Sequence, residues 1–239
     1  MYNFFPQKDD VIARMSTQND GNMRLRNSSK STLQNRCRFF AKNHIDVKHV
    51  VSAGLVHGTN VEIVESSEQK IIEGADALVT RMKNVFLSLT IADCFPVFFY
   101  EQEKKIVGIA HAGWRGVVGE IVPRTINVMI REGADPHKIC VAIGPGVSLR
   151  FCDFDFCDVI KYFGFYNQDK YIVEGSTINK VKVDLHKIIL DQLRHHDIFE
   201  ENIYDCADCT YANQHKLFSA RRDGEEYCVM MSFIGMLSL

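Results

Sequence analysis

The chain has 239 residues, 46% of them hydrophobic, and its 28 basic and 30 acidic side chains leave a formal net charge of −2. A chain of this length and apolar content can bury a substantial core. Since neither sign of charge is in excess, we expect no nucleic-acid or membrane partner, and the composition favours a small-molecule ligand.

Residues 1–10 contain no basic start followed by an apolar run, so a secretory signal is not expected. No later stretch is long and apolar enough to span a bilayer. The eight cysteines lie in a chain too large to need disulfide bonds, so we interpret them as reduced thiols, some of them available to a metal. These features predict a cytoplasmic protein.

Local patterns predict the elements of the first half of the chain. A helix is predicted over residues 31–43, where Leu33, Cys37 and Phe40 recur at helical spacing. Short β-branched runs predict strands at residues 47–51 and 61–64. The most apolar block predicts three buried strands, at residues 84–92, 95–101 and 105–110.

The second half mixes helices with short strands. A helical pattern covers residues 116–131, where Pro123 is tolerated only in a first turn or at a kink. A strand is predicted at 139–143, and another at 181–183 delivers Asp184 to the start of a helix that ends near His196. The run over 227–237 predicts a last strand. Without a regular βαβ repeat, the order indicates a mixed α/β or α+β fold, in a single domain over residues 1–239.

Three segments carry a candidate metal ligand at the end of a predicted strand, beside small residues that let the backbone bend. They contain His57 in 56–58, Cys94 in 92–96 and His111 in 110–116. Two imidazoles and a thiolate suit zinc, and three protein ligands leave a fourth position for water or substrate. An open position of this kind is typical of a catalytic zinc site.

Each of these residues also has an ordinary explanation. Cys94 fits a packed core thiol, and either histidine fits a hydrogen-bonded residue beside a turn. Trp114 fits a core or pocket-wall residue, and Arg115 fits the partner of an acid. A pair of Cys94 as nucleophile and His111 as base would instead make a cysteine hydrolase. Spacing alone leaves these alternatives open.

The three segments, in this order, resemble the YfiH family, also called the laccase-domain or polyphenol oxidase/purine nucleoside phosphorylase family. That family reads Gln-Val-His-Gly, Ala-Asp-Cys-x-Pro-Val and His-Ala-Gly-Trp-Arg-Gly, and the last two motifs are complete here at 92–97 and 111–116. Weaker matches lie at 74–80, 144–145, 184–185, 209–210 and 218–224. The resemblance implies a layered sandwich of mixed β-sheet with flanking helices, and it implies that His57, Cys94 and His111 are metal ligands.

The resemblance also implies an activity, the phosphorolysis of purine nucleosides (adenosine, inosine, guanosine and methylthioadenosine) with accompanying adenosine deaminase activity. Copper-dependent phenol oxidation has also been ascribed to the family. We favour Zn²⁺ over Cu²⁺ and nucleoside chemistry over oxidation. Zinc has no redox state to cycle, and a copper oxidase needs more ligands than we can assign in the sequence.

We expect a role for each motif residue, with a purine nucleoside and phosphate as the small-molecule partners. Zinc on His57, Cys94 and His111 would polarise phosphate or water, with Cys94 and His111 counted among the catalytic residues. Asp93 would orient an imidazole or accept a proton, with backbone capping as its alternative role. Arg115 and Arg222 would neutralise phosphate, with a solvated basic turn as the alternative for Arg222.

The chain departs from the family pattern in several places. Leu55 replaces the Gln before Val-His-Gly, Ala220 replaces an aromatic or His, and the segment ending at Cys228 replaces Thr-Gly-Arg. These departures bear on substrate range and turnover, and they favour one further alternative, a metal-binding protein without catalysis. The pair Cys206 and Cys209 lacks the second pair that a zinc ribbon needs, so we interpret it as structural.

Overall fold

The computed structural model describes residues 1–26, 28–164, 166 and 168–238. The strands are β1 (Tyr2–Phe4), β2 (Val11–Met15), β3 (Val50–Gly54), β4 (Val61–Ile63), β5 (Ile71–Glu73), β6 (Ala77–Thr80), β7 (Phe86–Ile91), β8 (Phe95–Glu101), β9 (Ile106–Ala112), β10 (Ile139–Ile143), β11 (Asp153–Asp155), β12 (Ile172–Glu174), β13 (Lys180–Val183), β14 (Ile203–Asp205) and β15 (Met230–Met236). The helices are α1 (Lys30–Lys42), α2 (Trp114–Val118), α3 (Ile121–Arg131), α4 (Phe156–Phe163), α5 (Gln168–Tyr171), α6 (Leu185–Arg194) and α7 (Ala220–Asp223). None of the helices in these ranges has the length and apolarity that crossing a membrane requires.

Two mixed six-stranded sheets form the centre of the fold. The strand order is β1-β2-β15-β7-β3-β5 in the first sheet and β14-β10-β8-β9-β6-β4 in the second. A smaller antiparallel sheet has the order β11-β13-β12. The combination of parallel and antiparallel pairs with flanking helices confirms the predicted mixed α+β sandwich. That residues 1–239 form a single domain stays a prediction.

The two large sheets pack face to face and are covered on their outer faces by helices. Leu87 and Ile234 of the first sheet share one buried cluster with Phe98 and Val107 of the second. The outer face of the first sheet packs on α1, and the outer face of the second packs on α2, α3 and α6. Because β8 lies in the second sheet with both faces covered, all seven of its residues are buried. This explains its continuous apolar sequence.

Strand and helix positions agree with the sequence in the central block. Strands β8 and β10 have the predicted bounds, and β9 extends two residues beyond the prediction, to Ala112. The predicted helix over 116–131 is instead two helices, α2 and α3, with Pro123 in the first turn of α3. Asp184 caps α6 as predicted, because its side chain accepts the Lys187 N–H at 3.0 Å.

Two local predictions were wrong. Residues 47–49 form a 3-10 turn instead of a strand, because the Asp46 carboxylate accepts the Lys48 N–H and stabilises the turn. Of the three residues that predicted α1, only Phe40 lies on its buried face, since Leu33 is 49% exposed and Cys37 is exposed as well. Arg36 is buried there instead, because its guanidinium donates to the Met23 carbonyl and the Ser52 hydroxyl.

Candidate metal centre

The pairing of β8 with β9 brings two of the three candidate ligands together. Pro96 pairs with His111 and Phe95 with Ala112, so Cys94, just before β8, lies beside Gly113, just after β9. Neighbouring strands of one sheet lie about 4.8 Å apart. The antiparallel register therefore places a thiol and an imidazole at one end of the same strand pair.

His57 reaches this point from the loop between β3 and β4. Its backbone has a φ of +60°, a left-handed conformation that costs a non-glycine residue about 1–2 kcal/mol. The Asp76 carboxylate compensates by accepting the N–H groups of Val56, His57 and Gly58 at 3.3, 2.9 and 2.7 Å. One carboxylate thus holds the loop in the conformation that presents His57.

Asp76 also orients the second imidazole. It lies just before β6, which pairs with β9, and the His111 N–H donates to its carbonyl at 2.8 Å. Its carboxylate lies 3.0 Å from His111 Nδ1. Burial raises the pKa of Asp76, but the contacts with His111 and Gly58 outweigh burial and lower the pKa below its ordinary value. The ionised carboxylate therefore accepts the Nδ1 proton and leaves Nε2 of His111 free to bind an ion.

The ligand atoms of His57, Cys94 and His111 all lie within 4.8 Å of one another. The two imidazole rings are 4.8 Å apart at an angle of 82°. A Cβ on Gly113 would lie 2.9 Å from Cys94 Sγ and 3.5 Å from a ring carbon of each histidine. The absence of a side chain at Gly113 therefore leaves room between the donors, and two nitrogens with one sulfur fit a tetrahedral divalent ion.

The electrostatics of the site favour an ionised sulfur. Burial raises the pKa of the Cys94 thiol, but the two histidines, His111 above all, outweigh burial and lower it below the ordinary value. Burial lowers the pKa of His111, and Cys94 with Asp76 raises it above the ordinary value. A thiolate is both the form that binds metal and the form that acts as a nucleophile.

Asp93 does not orient an imidazole, contrary to one of the two roles expected from the sequence. One of its carboxylate oxygens accepts the Thr210 hydroxyl at 2.6 Å, and the other accepts the Arg221 N–H at 2.8 Å. Its backbone is left-handed, with a φ of +84°. Asp93 therefore ties the turn before Cys94 to two distant loops. Its role as a proton acceptor stays a prediction.

Arg222 is not available to phosphate, so that prediction is corrected. Its guanidinium donates to the carbonyls of Thr210, Tyr211 and Leu217 at 2.8 to 3.0 Å and forms an ion pair with Asp223. Backbone carbonyls need hydrogen-bond donors, and a planar guanidinium satisfies three of them here. Arg222 therefore stabilises the loops around 210–217.

Arg115 has a different environment. Its guanidinium lies 4.3 Å from the centre of the Trp114 ring, and the residue is exposed. The Trp114 ring also packs against Tyr162 and Phe154, at centroid distances of 5.1 and 5.9 Å. Trp114 thus supports Arg115 at the surface, and the phosphate role of Arg115 stays a prediction.

The three candidate ligands open into a cavity of about 190 Å³. Its wall includes Leu55, one of the departures from the family pattern, and three residues to which the sequence assigns no role, namely Arg24, Arg26 and Tyr227.

The role of Asp76 was not predicted from the sequence, although an acid inside the apolar run over 74–80 was a signal for it. Arg24 and Tyr227 had no such signal, since loops over 200 residues apart in sequence bring them together.

Comparison with known proteins assigns the family. The chain is 27% identical over 249 residues to the purine nucleoside phosphorylase YlmD of Bacillus subtilis (strain 168), covering 95% of this chain and 89% of that protein. It is 28% identical over 190 residues to adenosine deaminase RL5 of an unknown prokaryotic organism, covering 75% and 72%. The crystal structure of YlmD from Geobacillus stearothermophilus has a TM-score of 0.89 at 26% identity, covering 98% and 94%. The sequence model of one family matches residues 5–237. The chain therefore belongs to the family described as multi-copper polyphenol oxidoreductase laccase, which confirms the predicted YfiH-type relationship.

Proposed function

We propose that this protein is a zinc-dependent purine nucleoside phosphorylase that acts on adenosine, inosine, guanosine and methylthioadenosine, with accompanying adenosine deaminase activity. The observation that carries the proposal is the meeting of His57, Cys94 and His111 within 4.8 Å at the wall of a cavity. The names of the relatives, a purine nucleoside phosphorylase and an adenosine deaminase, support the substrate class.

We assign the metal to His57, Cys94 and His111. Two nitrogens and a sulfur match the tetrahedral preference of zinc, and Gly113 leaves the necessary space. When bound, zinc supplies Lewis acidity toward a phosphate or water oxygen. The Asp76 carboxylate orients His111 by accepting a hydrogen bond from Nδ1, and it holds the loop of His57 by accepting the His57 backbone N–H. The protein alone therefore positions the ligand atoms.

The two proposed reactions differ in their nucleophile. In phosphorolysis a phosphate oxygen bonds to C1′ of the ribose as the bond from C1′ to the purine nitrogen breaks, and the purine leaves with a proton. In deamination water adds to C6 of adenosine and ammonia leaves. The apolar wall at Leu55, Ile91 and Val229 suits the purine nucleoside in both reactions.

We place the activity in the cytoplasm, since all eight cysteines are free thiols.

A second candidate, a cysteine hydrolase, is favoured by one specific observation. The lowered pKa of Cys94 and the raised pKa of His111 describe a thiolate–imidazolium pair, the arrangement of an activated cysteine nucleophile. In such an enzyme His57 would have no ligand role, and zinc would inhibit the nucleophile.

Metal analysis and product identification test the proposal together. We expect about one zinc per chain in the wild-type protein and none in Cys94→Ser or His57→Ala, with the exposed thiol variant Cys37→Ser as the matched control. Incubation with adenosine should then yield adenine and ribose phosphate only when phosphate is present, and inosine without phosphate.

Four outcomes contradict the proposal in different ways. A metal-free protein that loses a hydrolytic activity on alkylation of Cys94 is a cysteine hydrolase. Copper in place of zinc, with oxidation of a phenol, indicates a polyphenol oxidase. Zinc without any nucleoside product indicates a metal-binding protein without turnover. Zinc retained in Cys94→Ser refutes the ligand assignment.

A further inference from the structure

The cavity beside the three candidate ligands contains an arginine to which neither the motifs nor the proposed mechanism assigns a role. We propose that Arg24 binds the phosphate co-substrate in this cavity, an inference that rests on the proposed function. In this proposal phosphate binds at the part of the cavity wall formed by Arg24 and Tyr227, next to His57, Cys94 and His111.

The contacts of Arg24 hold its guanidinium in place without using all of its donors. Its carbon Cζ lies 5.1 Å from the centre of the Tyr227 ring, and one terminal nitrogen donates to the Tyr227 carbonyl. Among the described residues no carboxylate lies within ion-pair distance of Arg24. A guanidinium has five N–H donors, so a half-buried, stacked arginine with no acidic partner keeps donors for an oxyanion.

The neighbouring cation is less available. The Arg26 guanidinium donates to the Gly54 carbonyl at 3.2 Å and forms an ion pair with Glu73. Its side chain is 53% exposed, so its charge is screened by solvent as well as by its acidic partner. Arg26 therefore adds positive charge at the rim, and Arg24 supplies the main contact.

The charge of the cavity supports an anionic ligand. None of the described residues that line it is an aspartate or a glutamate, whereas two are arginines and two are histidines. Among these lining residues the one anionic group is the Cys94 thiolate, which we assign to the metal. Arg115 is not among the lining residues, and Arg222 has its donors occupied by three carbonyls and Asp223. Of the arginines considered, Arg24 alone combines a place in the cavity with no acidic partner.

Binding of inorganic phosphate to the zinc-loaded protein, measured by titration calorimetry, tests the assignment without relying on activity. We expect Arg24→Met to weaken phosphate binding at least tenfold and Arg24→Lys to weaken it less, because lysine keeps the charge but loses the guanidinium fork. Arg150→Met is the matched control, since Arg150 also lies over an aromatic ring, 5.4 Å from the centre of Phe151, outside this cavity. Thermal denaturation of each variant establishes that it is folded.

A second variant tests the same idea by a gain of affinity. Glu73→Gln removes the acidic partner of Arg26 and should tighten phosphate binding by a factor of about two to five at low ionic strength, with the gain falling as salt rises. This variant keeps the size of the side chain and leaves Arg24 untouched.

The inference is overturned if wild-type protein shows no phosphate binding, if Arg24→Met binds phosphate like the wild type, or if only Arg115→Met loses binding. Tighter, Arg24-dependent binding of adenosine 5′-monophosphate than of free phosphate would also overturn it, because the subsite would then serve a phosphate ester. Phosphorolysis with an unaltered KM for phosphate in Arg24→Met refutes this inference and leaves the proposed function standing. Arg24-dependent phosphate binding without phosphorolysis refutes the proposed function and leaves this inference standing.

Discussion

Replacing Asp76 by asparagine tests whether this buried carboxylate holds the candidate metal ligands in position. One of its oxygens accepts from the His57 N–H at 2.9 Å and lies 3.0 Å from His111 Nδ1, and the other accepts from Gly58 at 2.7 Å and Val56 at 3.3 Å. An amide has only one acceptor oxygen. In either orientation of the amide, its NH₂ group takes the place of one carboxylate oxygen and faces N–H donors. The two contacts that this oxygen made are therefore lost.

The size of the effect follows from these contacts. Loss of a hydrogen bond to a charged group costs about 1.5–3 kcal/mol, so two lost contacts lower the free energy of unfolding by about 3–6 kcal/mol at most. Loss of a carboxylate that orients a ligating histidine weakens metal binding about 10–100-fold. We therefore expect Asp76→Asn to fold with reduced stability and to bind zinc at least tenfold more weakly, in a competition titration with a chromophoric chelator.

Asp93→Asn provides the control. Asp93 is also buried and is adjacent to Cys94, but its carboxylate contacts Thr210 and Arg221 instead of an imidazole. We expect it to lower the free energy of unfolding by a similar amount while changing zinc affinity by less than a factor of about five, well short of the loss expected from an orienting carboxylate. Equal losses of zinc affinity in the two variants, or full affinity in Asp76→Asn, would refute the role assigned to Asp76.

Three further substitutions have expected outcomes of their own. Gly113→Ala places a methyl group 2.9 Å from Cys94 Sγ, so zinc affinity should fall at least tenfold, while the melting temperature of the zinc-free protein changes by only a few degrees. Arg222→Met should lower the free energy of unfolding by about 2–4 kcal/mol in urea and leave zinc content intact, since its donors serve three carbonyls. Asp191 accepts from the Tyr171 hydroxyl at 2.9 Å, and although burial raises its pKa, the contacts with Lys170 and Tyr171 lower it below the ordinary value. The carboxylate thus stabilises the fold above that ordinary pKa and loses its effect as the pH falls through the lowered value. Asp191→Asn should cost about 1–2 kcal/mol at pH 7 and progressively less as the pH falls below the ordinary pKa of an aspartate, and a cost that is independent of pH would contradict this.

Where a signal is local in the chain, sequence analysis alone was enough. The bounds of β8 and β10 follow from continuous apolar runs, and Asp184 is a helix cap because its oxygen reaches an N–H three residues ahead. The motifs around His57, Cys94 and His111 were sufficient to predict that these three side chains lie close together in the fold. Each of these inferences depends on neighbours within a few residues or on a motif resemblance.

Only the tertiary structure decided which side chains orient the candidate metal ligands and which line the cavity beside them. Asp76 orients His111 because β6 and β9 are neighbours, whereas Asp93, next to a candidate ligand in sequence, accepts hydrogen bonds from Thr210 and Arg221. Arg222 carries the same charge as Arg24, yet its donors are occupied by carbonyls of a folded loop, whereas Arg24 faces a cavity. Whether a charged group is free or engaged depends on its partners in space, and those partners come from distant parts of the chain.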